Sequence, residues 1–369
     1  MMRMRHCGTM SGALAALVVL AMGNSAWAQL WIEPRCTRLP FDTIMPVVEL
    51  SDGRLLKAEG TVFRTSSDDG KTWSPRRTIY DGPAPGIPSS DEASGQLLRT
   101  RSGALVMVYM DMSTQKWKWD GARNEAQDSR LDAWSIRSLD EGKTWIDRQK
   151  ILDGYCGALI GMIQTTGGQI VCPMQTMYDR KRHVTLTAVS ADDGKTWRQG
   201  NIIDLGGRGN HDGAIEATVA QLSSGRLLML IRTNLDRFWE AYSDDQGRYW
   251  RELRPSRIDA SSSPGHLVRL ASGRFALVWN RLCAEGKGVV RRAEVGLAET
   301  AASWQREELS LALSADDTKT WSKPVVIARA PGGSLAYPHI FERRPGELWI
   351  GTHQTAICLR LKEADFVGK

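Results

Sequence analysis

Apolar residues in this chain come in short bursts, and six of them open on a turn glycine: "DGRLLKAE" at Gly53, "SGALVMVY" at Gly103, "GGQIVCPM" at Gly168, "SGRLLMLI" at Gly225, "SGRFALVW" at Gly273 and "PGELWIGT" at Gly346. Runs of roughly four to eight apolar or alternating residues bounded by Gly, Ser and Asp read as β-strands. No segment carries a helix-length 3.6-residue period, so the pattern predicts an all-β protein.

A second repeat interleaves with the first. "SSDDGKTW", "SLDEGKTW", "SADDGKTW" and "SDDQGRYW" set Ser66/Asp68/Gly70/Trp73, Ser138/Asp140/Gly142/Trp145, Ser190/Asp192/Gly194/Trp197 and Ser243/Asp245/Gly247/Trp250 at one spacing. "SADDTKTW" repeats it as Ser314/Asp316/Thr318/Trp321, without the glycine. In a tight turn, Asp accepts backbone N–H bonds, Gly takes positive φ, and Trp fills the space between neighbouring units. The acid pairs offer too few oxygens in too short a loop for calcium, so the box is read as structural.

Together the repeats give the order apolar strand, Gly-turn, apolar strand, third strand, box turn, fourth strand. That is a four-stranded antiparallel blade, and six at intervals of roughly 50 to 70 residues predict a six-bladed β-propeller closing from about residue 40 onward, as one domain over 29–369. Long gaps between turn glycine and box place insertions at about 107–134 and 281–305. Box turns join third and fourth strands, so the opposite face carries the starts of first strands, the ends of second strands and the starts of third strands. Glu216, Arg232, Arg306 and Tyr337 fall on that face, with the acids Glu59, Asp91, Asp111 and Asp212 on the same rim.

Composition narrows the field. With 42% hydrophobic residues, the 369-residue chain can bury a large core. Arg3 and Arg5 precede the apolar run Ala13 to Met22, which ends at Ala26, Trp27 and Ala28; residues 1–28 are read as a cleavable signal peptide, and the mature chain is expected to be secreted or periplasmic. No other stretch is long enough for a membrane span. The net charge of +6, reduced by the two leader arginines, suits an anionic ligand, and the basic residues are too scattered for a nucleic-acid binder. No Cys/His spacing resembles a zinc site, and no metal or cofactor is expected. Cys156 and Cys172 flank a Thr-Gly-Gly turn and are read either as a cross-hairpin disulfide or as buried thiols.

The five boxes, six blades and rim residues resemble the sialidase (neuraminidase) superfamily, whose Asp-boxes are also called bacterial neuraminidase repeats; the likeness runs almost the length of the mature chain. It implies that Glu216 and Arg232, in "GAIEATVAQLSSGRLLMLIRT", supply a tyrosine's partner and a carboxylate-binding arginine. It further implies that Arg306, eight residues before Ser314, is a second such arginine, and that Tyr337, opening "LAYPHIFERRPGELWIGT", is the nucleophile. Two features depart from it. The family's first arginine stands in an Arg-Ile-Pro motif where this chain has Ile44-Met45-Pro46, with Arg38 six residues early. The loop that carries the family's aspartate is also missing, because only "LLKAEGTVFRT" links the Gly53 strand to the first box.

These residue types fit one chemistry. A sialic acid carries its carboxylate on the anomeric carbon, which repels a carboxylate nucleophile; a neutral Tyr beside a Glu avoids that repulsion, and arginine forks hold the carboxylate. Ordinary rim salt bridging by Arg232 and Arg306, a buried ion pair at Glu216 and wall packing by Tyr337 are the competing readings. His211 and Asp212 are read as an acid/base pair or as turn residues, and Trp117 and Trp119 as a sugar platform or as lid packing. The expected activity is release of a terminal acidic sugar from a glycan partner. Action on a uronic-acid-containing glycan, by hydrolysis or elimination, and glycan binding without turnover remain alternatives.

Overall fold

The computed structural model describes residues 30–41, 46–59, 62–79, 95–293 and 299–367. Six antiparallel sheets stand around one axis. Their first strands are Val47–Glu49, Gly95–Arg99, Ile163–Gln164, Ile215–Gln221, His266–Arg269 and Pro338–Arg344. Second strands such as Leu105–Met110, Leu227–Arg232 and Phe275–Trp279 are buried on both faces. That is why the six glycine-led segments read as continuous apolar runs rather than as alternation.

All six turn glycines of those hairpins take φ between +76° and +93°. The boxes work as their spacing suggests. In the third box, the Ser190 hydroxyl donates to Asp192 Oδ1 and accepts from the Gly194 N–H, while the Thr196 N–H and hydroxyl donate to the two Asp192 oxygens. The glycine has a second reason: a Cβ on Gly194 would come within 2.8 Å of Val106 Cγ1 on the preceding blade, and Gly142 and Gly247 meet Leu56 and Val171 at the same distance. Each box tryptophan packs where two blades meet, as Trp145 does with Leu56, Phe63 and Leu105. Six apolar clusters fill the six inter-blade seams.

The N-terminus closes the ring, and here the expected start near residue 40 is corrected. Thr37–Arg38 pairs with Ile357–Lys362 as the outer strand of blade six, and Trp31–Ile32 adds a fifth strand to blade five beside Val325–Arg329. Two-residue strands are too short to leave a periodic pattern. The closure also explains five boxes for six blades: in blade six the fourth strand comes from the other end of the chain, so no turn joins it to the third.

The blade-two insertion is narrower than expected, at 111–132, and the blade-five insertion slightly wider, at 280–307. Leu105–Met110 and Ala133–Ser138 bound the one in blade two, which holds the hairpin Lys116–Asp120/Glu125–Arg130. Phe275–Trp279 and Glu308–Ser314 bound the one in blade five, with the short hairpin Arg291–Arg292/Ala302–Ser303. The two insertions touch across the pore face, where the Asn124 amide donates to Glu299 Oε1. Cys156 and Cys172 are free thiols in the apolar cluster between blades two and three, so no disulfide joins them. Among the described residues no helix is long and apolar enough to cross a membrane. The leader, Ile44, Met45 and Asp91 lie outside the described residues.

Candidate active site

Two first-strand starts put a carboxylate and a phenol into the pore mouth, and both do so from strained backbone. Glu216 has φ +48° and Tyr337 φ +56°, the left-handed region that non-glycine residues rarely adopt. At Glu216 the pairing of blade four slips, from Ile215 opposite Arg232 to Thr218 opposite Leu230, a bulge that re-aims the side chain. Tyr337 precedes Pro338, which already disfavours the right-handed helical region. Such strain costs on the order of 1–3 kcal/mol each and clusters at working sites.

The side chains converge. The Tyr337 hydroxyl donates to Glu216 Oε1 at 2.9 Å, and Arg232 Nη1 donates to Glu216 Oε2. Arg232 is fully buried at the end of its strand, and its Nε and Nη2 also donate to the Ser262 hydroxyl at 3.2 and 3.0 Å. Ser262 in turn donates to Asn234 Oδ1 at 2.6 Å. Arg306 approaches from blade five, with Nη1 donating to Gln354 Oε1 at 3.1 Å and Nη2 to the Ser262 carbonyl at 3.0 Å. Its Nε is buried without a protein partner, and its guanidinium lies 5.8 Å from the Tyr337 ring centroid. The Tyr337 ring itself rests on Ala158, Ile160 and Ala336.

Charge in this cluster is unbalanced. Two guanidiniums share one carboxylate, and among the described residues Arg306 makes no ion pair. Burial, followed by the neighbouring Arg232 charge, pulls the Arg306 guanidinium below its usual value. Burial acts to raise the Glu216 carboxyl, but Arg232 beside it, then Arg306 and the tyrosine hydroxyl, hold it below the ordinary carboxylate range. Burial and the Glu216 charge push the Tyr337 phenol up, so at rest it is a neutral donor to an ionised carboxylate.

The other expected residues take different places and roles. Asp212 Oδ1 accepts from the Gly213 N–H at 2.8 Å. Burial pushes its carboxyl up, against bonds from Thr300 and from the Gly213 and Arg208 backbone. His211 packs edge-on to Trp304 at 5.9 Å, and burial with the nearby Arg232 charge holds its imidazole at about 4. Asp111 caps a short turn by accepting from the Ser113 N–H and hydroxyl. Glu59 ends the second strand of blade one. Trp117 stacks on Trp119 at 5.8 Å and packs against Tyr155 and His183. Arg38 is on the outer strand of blade six, away from the pore, so it does not stand in for the missing first arginine. Ser262, Asn234, Gln354 and Trp304 were not singled out from sequence: they sit in irregular connections, where neither strand period nor box spacing points.

Comparison with known proteins places this geometry in context. The model of the BNR repeat-like domain family matches residues 61–350. No curated protein matches the sequence. Among solved structures, a protein of unknown function from Dyadobacter fermentans aligns at TM-score 0.55 and 18% identity, over 89% of this chain and 99% of that one. The NanB sialidase from Streptococcus pneumoniae aligns at TM-score 0.55 and 13% identity, over 89% and 71%. The intramolecular trans-sialidase from Ruminococcus gnavus aligns at 0.56 and 12%, over 88% and 94%. At such identities the likeness establishes the six-bladed propeller fold.

Proposed function

The chain belongs to the BNR repeat-like domain family, and from that premise we propose that it is a glycoside hydrolase of the exo-sialidase type, releasing a terminal acidic sugar from glycans. The observation that carries this reading is the 2.9 Å bond from Tyr337 to Glu216 inside a cluster with more guanidinium than carboxylate. The sugar carboxylate sits against Arg232 and Arg306. Its charge offsets theirs and so relieves the depression of the Glu216 carboxyl, making Glu216 a better base when substrate is bound than when it is absent. Tyr337 Oη then attacks the anomeric carbon while Glu216 takes the phenol proton, and the leaving oxygen departs with a proton from an acid. Asp212, with its raised carboxyl, is the candidate acid. Water completes the cycle by cleaving the tyrosyl–sugar bond, returning the tyrosine with net retention.

A second reading keeps the scaffold and changes the sugar. Ile44 where the family has an arginine, and the short link through "LLKAEGTVFRT", favour a uronic-acid-containing glycan as substrate. Purified protein assayed against sialyl and uronyl glycans separates the two. Release of sialic acid that is abolished in Tyr337→Phe supports the first; release of a uronic acid or an unsaturated product supports the second. Binding with no turnover on either series overturns both. For Asp212, Asp212→Asn should slow substrates with poor leaving groups far more than aryl glycosides, and equal effects on both would remove it as the acid.

A further inference from the structure

The connection from blade four to blade five, "SSSPGH" from Ser261 to His266, is buried throughout. Buried hydroxyls need partners, and its three serines divide them between two sides. Ser261 and Ser263 turn to Asn280, just past the second strand of blade five: Ser261 Oγ donates to its carbonyl at 3.4 Å and Ser263 Oγ to its Oδ1 at 2.7 Å. Ser262 turns the other way, towards the site, while its N–H donates to the Ser303 carbonyl at 2.7 Å. The turn is thus tied to blade five on both flanks of Ser262.

Ser262 meets both site arginines. Its hydroxyl accepts from Nε and Nη2 of Arg232, the side edge of that guanidinium, and its carbonyl accepts from Nη2 of Arg306 at 3.0 Å. The hydroxyl's own proton goes to Asn234 Oδ1 at 2.6 Å, which commits the oxygen's lone pairs to Arg232. Asn234 is held in turn by donating to the His211 carbonyl at 3.0 Å. A guanidinium carries its five N–H donors in a rigid plane. With the side edge filled by Ser262, Arg232 reaches Glu216 through Nη1 alone and does not close onto that carboxylate with its side edge. The hydroxyl is also neutral, so it orients Arg232 without cancelling its charge, as an aspartate in its place would. We propose that Ser262 is a positioning residue for anion recognition: through hydroxyl and carbonyl it sets the separation and facing of the two guanidiniums that hold the sugar carboxylate, and Asn234 fixes the hydroxyl in that role. The proposal rests on the terminal-acidic-sugar reading.

The test uses calorimetry on the full chain carrying Tyr337→Phe, so that binding is read without turnover. The probes are the methyl glycosides of N-acetylneuraminic acid and of glucuronic acid, each against its methyl ester. The readout is the affinity ratio of acid to ester, which a general loss of stability does not move. In at least one pair the acid should bind about tenfold more tightly, the size of one charge-assisted contact. Ser262→Ala should shrink that ratio to within about twofold, and Ser262→Thr, which keeps the hydroxyl, should preserve most of it. Ser263→Ala, as deeply buried but bonded to neither arginine, should leave the ratio unchanged. Should Ser262→Ala fail to fold, Asn234→Ala decides: releasing the Ser262 hydroxyl should lower the ratio by about threefold, and no change overturns the proposal. An undiminished ratio in folded Ser262→Ala, or an equal loss in Ser263→Ala, overturns the positioning role and leaves the hydrolase reading standing. A ratio that responds as expected, in a chain that with Tyr337 intact turns over neither acid, sinks the hydrolase reading alone. No preference for acid over ester in either pair overturns both.

Discussion

At the scale of single residues, the site ties stability and chemistry to the same atoms, and its substitutions should separate them. Tyr337→Phe removes one hydroxyl and keeps the ring against Ala158, Ile160 and Ala336. Turnover should fall by about 10²- to 10⁴-fold with unfolding unchanged within about 1 kcal/mol; near-wild-type turnover would end the tyrosine mechanism. Glu216→Gln is not a clean counterpart, because it leaves the fully buried Arg232 without its carboxylate. Such a loss costs about 3–5 kcal/mol, visible as a lower denaturation midpoint. Arg232→Ala shares that defect, so a raised Michaelis constant there must be read beside a stability measurement. The pH profile has its own signature. His183, His211 and His339 are buried imidazoles whose folded values, lowered by desolvation, sit at about 4 against 6.5 when exposed. The unfolded chain binds more protons in that window, so their contribution to stability is full above pH 6.5 and is lost as pH falls towards 4. Denaturant midpoints should hold from pH 7 to about 6.5 and decline from there to 4.5, and a flat profile would show that these rings are wetter than the structure places them.

At the scale of the blade, what could be read from sequence was what repeats. The boxes recur because five of the six seams pose the same problem: a residue held at positive φ against the preceding blade, glycine in four boxes and Thr318 in the fifth, and a tryptophan filling the gap behind it. Glu216, Arg232, Arg306 and Tyr337 were legible because they occupy equivalent ends of strands in that repeat and because the family resemblance assigned them roles. Ser262 and Gln354 were not, since they reach Arg232 and Arg306 from connections with no period. The positive φ at Glu216 and Tyr337 was also hidden, because neither residue type signals that backbone region. The box logic can be tested at Gly194. Gly194→Ala must hold φ +79° and bring Cβ against Val106, which should destabilise by about 1–3 kcal/mol in denaturant unfolding. Adding Val106→Ala should relieve the clash but not the backbone strain, so the double variant should lose less than the two single costs combined. Strict additivity would mean that the contact does not limit this position. Thr318, which holds φ +65° in the fifth box, shows that the fold tolerates one such exception.

At the scale of the whole molecule, one pore surrounded by six seams concentrates residues from distant parts of the chain. Glu216 and Tyr337, from blades four and six, are 121 positions apart, yet a single hydrogen bond joins them. Their alignment depends on the ring staying closed, and closure rests on very little chain: Thr37–Arg38 on blade six and Trp31–Ile32 on blade five. Those strands cover edges that would otherwise leave the N–H and C=O groups of Ile357–Lys362 and Val325–Arg329 unpaired. Arg35 adds side-chain fastening, stacking on Phe366 at 4.2 Å and donating to the Asp365 carbonyl at 2.9 Å. A chain beginning at residue 40 should therefore keep its boxes and most of its strand content but lose closure between blades five, six and one. The expected result is a lower midpoint, faster amide exchange in Ile357–Lys362 than in the blade-three strand Arg182–Ser190, and an activity loss larger than the loss of folded protein, because Tyr337 opens blade six. Uniform exchange and unchanged turnover in the shortened chain would mean that the seams alone hold the ring, and that the N-terminal strands merely decorate it.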